Sequence, residues 1–544
     1  MTCLLDLPDE VLLSIAIKVA LADLGSCLLS CRRLSALISE SALMQYLIRT
    51  MLHGLHDPLV SDMSIPERVT ALDAWEKAWL EHTMSNEPFE RHPLSAIGLN
   101  HAEKCIVQSG VLLGTQFKGF RLEKGYCYLD VLHLLNESKS VGRFSIPNLG
   151  SDISVQSYTY APEDDLIAII SQFVSLPFPS PQSGREYIDA VHRSDTRWGK
   201  PKVQFHQFST SNRHSSAAKH CLEFDLVCNA RDTCVECCGD NMVVILNAPN
   251  KNADPGDYIF LVEWKIGRIT QARFLTSPSR VPNTKSHRQL RKARLGTYGA
   301  VVAFLSRDTL VFALRDTFEL ELCKLTSPVA DAAPTLQTVS LLKLPSLLSG
   351  QQIEQQIDDI RSSQLAPLSG THPVSRRFSH SAFPFRSNPE DDILAFDVLF
   401  RNSQGRRIVF VARRRTLLAL AAEPRASTGT RAWEDWGPRA THWMELDPLN
   451  DSLSLAGSRC VLVKYSHLRN HFVLDLRDFN PHRVRALGAV PVATVLSAES
   501  CFEEDVVCEL PFVSLKKENV GRRVWLDDEW MAKIVVRTRS PFFS

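Results

Sequence analysis

The chain lacks an excess of either charge: 61 basic side chains stand against 61 acidic ones in 544 residues, and the isoelectric point is near 7.2. A balanced surface predicts no polyanion partner, so nucleic acid is not an expected ligand. Also missing is any run of the ~18 to 20 uninterrupted apolar residues that a membrane-crossing helix needs. Lys18 and Asp23 break the best such stretch. The opening residues have no basic start and carry Asp6, Asp9 and Glu10 where the apolar part of a secretory leader would run. These absences predict a cytoplasmic or nuclear protein with no membrane contact, whose 14 cysteines are reduced thiols.

Enzyme signatures are wanting too. There is no G-x-S-x-G elbow, no H-E-x-x-H, no phosphate-binding G-x-x-x-x-G-K-[ST] loop and no G-x-G-x-x-G fingerprint. The acidic groups Glu390-Asp391-Asp392 and Asp527-Asp528-Glu529 sit in turn-like contexts, where a solvated cluster is expected. Nothing points to catalysis or to a cofactor.

What is present is enough apolar material, 44% of residues, for a chain too long for one core. Single cores stop growing at ~250 to 300 residues, which predicts a small and a large domain. The first 83 residues have helical spacing. Asp6 is placed to cap the first helix, with Leu7 and Pro8 in its opening positions and Asp9 and Glu10 in its first turn. Val11, Leu12, Ile15 and Val19 form one stripe on it, and Leu13 and Ile17 a second. Leu24, Cys27, Leu28 and Cys31 mark a second helix; Leu34, Leu37, Ile38, Leu47, Ile48 and Leu52 mark a third. Ser64 and Glu67 form a capping box before a helix faced by Val69, Leu72, Trp75 and Trp79. The polar, proline-containing stretch 81–93 is the expected domain boundary.

From about residue 100 the pattern shortens. "DLIAIISQF", "DNMVVILN", "DYIFLVEWKIGRI", "DTLVFALRDTFELELCKL", "DDILAFDVLF", "RRTLLALAAE", "RCVLVKY" and "HFVLDLRDF" are apolar or β-branched runs separated by turn residues, which predicts strands. No helical pattern alternates with them, so the sheets are expected to be antiparallel. Some 440 residues of strand exceed one sandwich, whereas a propeller of ~40 to 50 residues per blade absorbs them in six to eight blades. Long loops are expected at 177–202, 277–296 and 361–390, the second of them containing the whole of the basic run 280–294. That run, with Arg280, Lys285, Arg288, Arg291, Lys292 and Arg294, has no interleaved aromatic residue and is expected to be a solvated loop; an import signal and a contact for an acidic partner are the alternatives.

Two features carry functional weight. "CVEC" places Cys234 and Cys237 at zinc-ligand spacing, but no clean second pair accompanies them, so buried strand thiols are the favoured expectation and no metal is assigned. The N-terminal helices are the stronger signal. About fifty residues bury too little surface to be comfortable alone, and a helix apolar on more than one side must be covered by the β region or by another protein.

Residues 7 to 43, "LPDEVLLSIAIKVALADLGSCLLSCRRLSALISESAL", resemble an F-box. Leu7, Pro8, Glu10, Val11, Leu12 and Ile15 fall on its opening Leu-Pro-x-Glu-aliphatic-Leu-x-x-Ile, Asp23 and Leu24 on its Asp-Leu, and Cys31, Arg32 and Arg33 on its Cys-basic-basic step. Ala16, Lys18, Leu21, Leu34 and Met44 stand where Phe, Tyr, Pro and Trp are usual. The resemblance implies an α+β multidomain fold: F-box bundle (1–53), helical linker (54–95) and an all-β, propeller-like substrate-recognition domain (96–544), as in large fungal F-box proteins. It implies a non-catalytic subunit of an SCF-type ubiquitin ligase that binds a Skp adaptor, and through it a cullin scaffold, while the β domain holds a protein substrate. Leu7, Pro8, Glu10, Val11, Leu12, Ile15, Leu24, Leu28, Cys31 and Arg33 are the adaptor-binding residues so implied. The alternative is a propeller scaffold with a helical cap and no ligase.

Overall fold

The structure is a computed structural model, and it describes residues 4–19, 21–56, 63–84, 105–108, 111–115, 127–133, 141–146, 153–175, 197–226, 233–248, 256–272, 301–314, 318–326, 334–348, 355–362, 386–400, 406–423, 429–447, 451–466, 471–488, 493–497, 501–520, 523–526 and 531–534.

Four helices open the chain: α1 (Asp9–Ala16), α2 (Leu21–Ser30), α3 (Arg32–Glu40) and α4 (Ala42–Leu52). Two sequence expectations are corrected here. Asp6 does not cap α1; it closes a separate 3-10 turn, Leu4–Asp6, and α1 starts after Pro8 with no side-chain cap. The expected third helix is two helices. Ser41 is extended (φ −76°, ψ 112°), ends α3 and starts α4 by accepting the Met44 N–H at 3.3 Å. A serine hydroxyl that competes for backbone N–H groups favours such a cap over a helix interior.

After α4 the chain forms β1 (Leu55–His56) and then α5 (Ile65–Met84). The Ser64–Glu67 pair is present: the Glu67 carboxylate accepts both the Ser64 N–H and its hydroxyl at 2.7 Å. Leu72 and Trp75 are buried on the inner face of α5, and Val69 packs beside them; the Trp79 side chain lies outside the described residues.

Antiparallel sheets follow in chain order. The first holds β2 (Cys105–Gln108), β3 (Val111–Thr115), β4 (Cys127–His133) and β5 (Val141–Ile146). The second holds β6 (Ile153–Ala161), β7 (Leu166–Ser175), β8 (Arg197–Gln207) and β9 (Cys221–Glu223). The third holds β10 (Cys234–Cys238), β11 (Asn241–Ala248), β12 (Gly256–Glu263) and β13 (Arg268–Ala272); the fourth holds β14 (Val301–Phe304), β15 (Thr309–Leu314), β16 (Glu319–Thr326) and β17 (Thr335–Lys343). The fifth begins with β18 (Gln355–Ser362). Next, β19 (Arg386–Ser387) leaves that sheet to pair with β1, and β20 (Ile393–Phe400) and β21 (Arg407–Arg413) return to it. A short strand, β22 (Gly429–Arg431), then adds in parallel to β17, and β23 (Thr441–Leu446) completes the fifth sheet. The sixth contains β24 (Ser452–Ala456), β25 (Arg459–Ser466), β26 (His471–Asp478) and, after the hairpin β27 (Thr494–Leu496)–β28 (Val506–Cys508), β29 (Val513–Val520). A last hairpin, β30 (Arg523–Leu526)–β31 (Met531–Ile534), follows.

The first strands of successive sheets lie side by side: β6 on β10, β10 on β14, β14 on β18, β18 on β24 and β24 on β30. Four-stranded meanders joined at their first strands are the pattern of propeller blades. Among the described residues there are six sheets of four or more strands, the second to sixth joined in this way with β30–β31 beside the sixth, and the domain is propeller-like.

Three shorter helices depart from the all-strand expectation. The stretch "RRTLLALAAE" forms α6 (Arg414–Ala422), with Leu417, Leu420 and Ala421 buried at helical spacing. So short an apolar run does not fix its period, and alanine-rich composition favours the helix. "WEDWGP" opens α7 (Trp433–Ala440), whose Trp433 and Trp436 fill the core between the fourth and fifth sheets. Gly437 is required there, because a Cβ at that position would lie 2.1 Å from the Trp433 ring. Finally, α8 (Pro481–Ala486) follows β26. Of the expected loops, residues 197–202 belong to β8, 361 and 362 end β18, and 386–390 form β19 and a 3-10 turn. The rest of the 177–202 and 361–390 stretches, all of 277–296 and the basic run 280–294 lie outside the described residues.

Candidate functional site

The helical module has two faces with different fates. Inside, Leu12 and Ala16 of α1 meet Leu24, Ile38 and Met44, all buried, with Leu13, Ile17, Cys27, Leu28 and Ile48 packed around them. Outside, Pro8 is exposed, and Val11 and Ile15, one turn apart on the same side of α1, are each 42% exposed. Leu29 of α2 is 90% exposed, and Leu4 and Leu43 are also open. The predicted stripe of Val11, Leu12, Ile15 and Val19 is therefore split: Leu12 is buried and Val19 packs on the interior with the second stripe, Leu13 and Ile17, while Val11 and Ile15 remain exposed.

The ten residues singled out in the sequence divide accordingly. Pro8, Val11 and Ile15 present themselves outward with Glu10, and Leu7 is half-buried. Leu12 and Leu24 are interior, and Leu28 packs on that interior, so these three shape the surface from beneath. Cys31 is a helix cap: its Sγ accepts the Leu34 N–H at 3.3 Å at the start of α3. Arg33 is a clamp. Its guanidinium donates to the carbonyls of Leu5 and Leu7, the latter at 3.1 Å, and pairs with the Asp9 carboxylate at 2.5 Å. The 3-10 turn and the entry of α1 are thus tied to α3, which positions Pro8. Of the unusual residues, Ala16 and Met44 are buried, so they act on bundle packing rather than on its outer face. Leu29 escaped the sequence argument because it falls off the Leu24–Cys27–Leu28–Cys31 stripe.

The module is also fixed to the β domain, which sequence spacing did not disclose. Tyr46, Leu55, Leu72 and Trp75 pack on Ala456, Val461, Val463, Leu474 and Leu476, one face of the sixth sheet. The other face of that sheet, with Leu453, Cys460 and Leu462, packs on Ile393, Ala395, Val409 and Val411 of the fifth. The Arg459 guanidinium lies 4.7 Å over the Trp75 ring and pairs with Asp478 at 3.1 Å. Although burial opposes ionisation of Asp478, the Arg459 and Arg483 charges and the Asn480 N–H hold its carboxyl below the usual range. Asn480 donates its Nδ2 to the Leu52 carbonyl at 3.1 Å, and the Gly54 carbonyl accepts the Asn388 N–H at 2.7 Å. Gly54 has φ +64°, and a Cβ there would stand 2.8 Å from Asn480 Nδ2, so glycine satisfies both the backbone and the close approach. His53 lies 3.3 Å from Glu76 and edge-on to Trp75; burial pushes its pKa down.

The cysteine pair does not assemble a metal site. Cys234 and Cys237 are three apart on β10, so alternation directs them to opposite faces: Cys237 enters the core between the second and third sheets, and Cys234 packs toward the fourth. Among the described residues no group of three potential ligands converges. No described helix is long and apolar enough to cross a membrane.

Comparison with known proteins gives one family match: residues 4–50 match the F-box-like model. No curated protein matches the sequence. Solved structures similar to the chain include Kluyveromyces lactis Hsv2 (8% identity, 74% of this chain and 96% of that one, TM-score 0.27) and the WD40 domain of SCAP from fission yeast (6% identity, 69% and 81%, TM-score 0.29). A third is prolyl oligopeptidase B from Galerina marginata (8% identity, 83% and 57%, TM-score 0.27). At these scores the fold assignment rests on the strand topology above.

Proposed function

Because residues 4–50 are an F-box-like domain mounted on a propeller-like stack of antiparallel sheets, we propose that the chain is the substrate-recognition subunit of an SCF-type ubiquitin ligase. The bare outer stripe of α1, with Pro8, Val11 and Ile15, is the observation that carries this reading, because the β domain covers other helices and leaves that stripe free. A Skp adaptor would cover it and connect the chain to a cullin. The β domain would hold a protein substrate, and the chain would work by proximity, raising the substrate's effective concentration at the ubiquitin-transfer site without reacting itself. A mount built from Trp75, Arg459 and Asn480 suits that role, since it fixes the distance between adaptor and substrate. A cytoplasmic or nuclear location belongs to the same proposal.

The scaffold alternative gains something from the docking of α4 and α5, which do cap a sheet. It leaves the α1 stripe unexplained. Co-purification of the full chain with the adaptor decides between them: the parent chain should retain it, and Val11→Asp with Ile15→Asp should release it while the unfolding temperature stays put. Failure of the parent chain to retain any adaptor would end the ligase proposal.

A further inference from the structure

The hairpin β27–β28 turns one face to the core and leaves the other open. On the inner face Val506 and Cys508 are buried, and Leu496 packs with them on the core between the fourth and fifth sheets. On the outer face Val495 stands opposite Val507 in the strand register, and the two are 57% and 38% exposed. Alternation through β28 is strict: Asp505, Val507 and Glu509 are exposed, and Val506, Cys508 and Leu510 are buried. The solvent face of an antiparallel ribbon is ordinarily polar, so a cross-strand valine pair at its centre is a departure. The ribbon is also firmly seated. Before β28 the Glu503 N–H donates to the Ser346 carbonyl at 2.9 Å, and after it the Glu509 N–H donates to the Pro438 carbonyl of α7 at 2.7 Å. From β27, Thr494 Oγ1 lies 3.3 Å from His442 Nδ1.

Charge around the valines is mostly of one sign. Asp505 and Glu509 flank Val507 on its own face, and the exposed Glu503 and Glu504 precede them. Arg439 approaches Glu509 at 3.6 Å but is itself 93% exposed, and so open an ion pair is readily exchanged for another. A second copy of the chain would set this face against its like, acid on acid, and a polyanion is repelled for the same reason. Two valines are also a small fraction of the ~1,200 Å² that a stable protein interface buries. A short basic segment fits both charge and size. Side chains on one side of an extended chain are two residues apart, at ~3.3 Å rise per residue, which is the spacing of Asp505, Val507 and Glu509 themselves. We propose that the outer face of β27–β28 binds an extended peptide segment that carries an apolar residue with a lysine or arginine two positions to either side. As the substrate contact of a ligase it rests on the function proposed above; the peptide binding itself does not.

Calorimetric titration of the full chain tests this with three heptapeptides. The first has leucine at its centre and lysine two positions to either side, the second has glutamate in place of both lysines, and the third has serine in place of the leucine. The first should bind, less tightly as salt is added, and the other two should bind roughly tenfold more weakly or not at all. Glu509→Lys and Val495→Ser, each at an exposed position, should keep the unfolding midpoint and weaken binding of the first peptide. Asp505→Lys with Glu509→Lys should transfer the preference to the glutamate peptide, a gain that a folding defect does not imitate. Val11→Asp with Ile15→Asp should bind the first peptide as the parent does, so loss of adaptor retention and loss of peptide binding are separate failures. Sedimentation of the parent should show a monomer. No heat from the first peptide at millimolar concentration, equal binding of all three, or a parent dimer that Val495→Ser dissociates overturns the proposal.

Discussion

Replacing Trp75 with alanine tests whether the helical module and the β domain are one body. Trp75 is 2% exposed, stands edge-on to His53 and lies under the Arg459 guanidinium. Truncating a buried tryptophan removes its burial and leaves a cavity, together worth about 3 to 5 kcal/mol. A cation–π contact of this kind adds about 0.5 to 2 kcal/mol. Arg459 keeps its pairing with Asp478, so no uncompensated buried charge offsets or enlarges the effect. The loss should therefore fall near the lower part of the combined range, and it should reach both bodies, because the Trp75 side chain closes a core shared with Val461, Val463 and Leu476. Urea unfolding followed by tryptophan fluorescence and by circular dichroism in the strand region is the assay. Both probes should shift to lower urea together. If the strand signal of Trp75→Ala unfolds where the parent does, while only the fluorescence signal moves, the shared core is wrong and the module is merely tethered.

Other outcomes follow from single contacts. Asn480 is fully buried, accepts the N–H groups of His482 and Arg483 at 2.9 and 3.4 Å and donates to Leu52; Asn480→Ala should cost about 1 to 3 kcal/mol and increase protease cleavage between α4 and α5. Ser41→Ala removes the cap of α4 and should cost about 1 kcal/mol by thermal unfolding, whereas Ser41→Asp should be tolerated. His442 is buried between the fifth and sixth sheets beside Arg477, and burial followed by that charge lowers its pKa to about 3. Its folded pKa lies below the unfolded value near 6.5, so above pH 6.5 it has no effect on stability. As pH falls from 6.5 toward 3 the unfolded chain takes up the proton first, and stability should drop by about 1.4 kcal/mol per unit. Acid unfolding of His442→Gln should show a shallower slope in that window; an unchanged slope would assign the acid sensitivity elsewhere.

Much of this was legible in the residues. The helical start, the capping box at Ser64 and Glu67, and the strands at "DNMVVILN" and "HFVLDLRDF" were all plain from period and turn chemistry. Pattern failed where it was short or local. "RRTLLALAAE" carries too few apolar positions to separate helix from strand, and Ser41 breaks a helix through one hydroxyl that a stripe of leucines conceals. At the candidate site, Cys31 and Arg33 matched motif positions, yet the first works as a cap and the second as a clamp. A motif records that a residue type is needed, not which way its side chain turns.

The division between sequence and tertiary structure is clearest in "RCVLVKY". Four consecutive apolar residues, Cys460 to Val463, require a strand buried on both faces, and that much was determined locally. Only the folded chain decided what covers each face: the fifth sheet lies on Cys460 and Leu462, and α4 and α5, from the opposite end of the sequence, lie on Val461 and Val463. The same holds for α1. Its apolar positions required more than one cover; the bundle takes Leu12, Leu13, Ile17 and Val19, and the pair Val11 and Ile15 is left exposed. Burial is proportional to area and indifferent to direction, so an apolar face states that it must be covered without naming the cover. Shape and connectivity, fixed by contacts such as Asn480 with Leu52 across more than four hundred residues, make that choice.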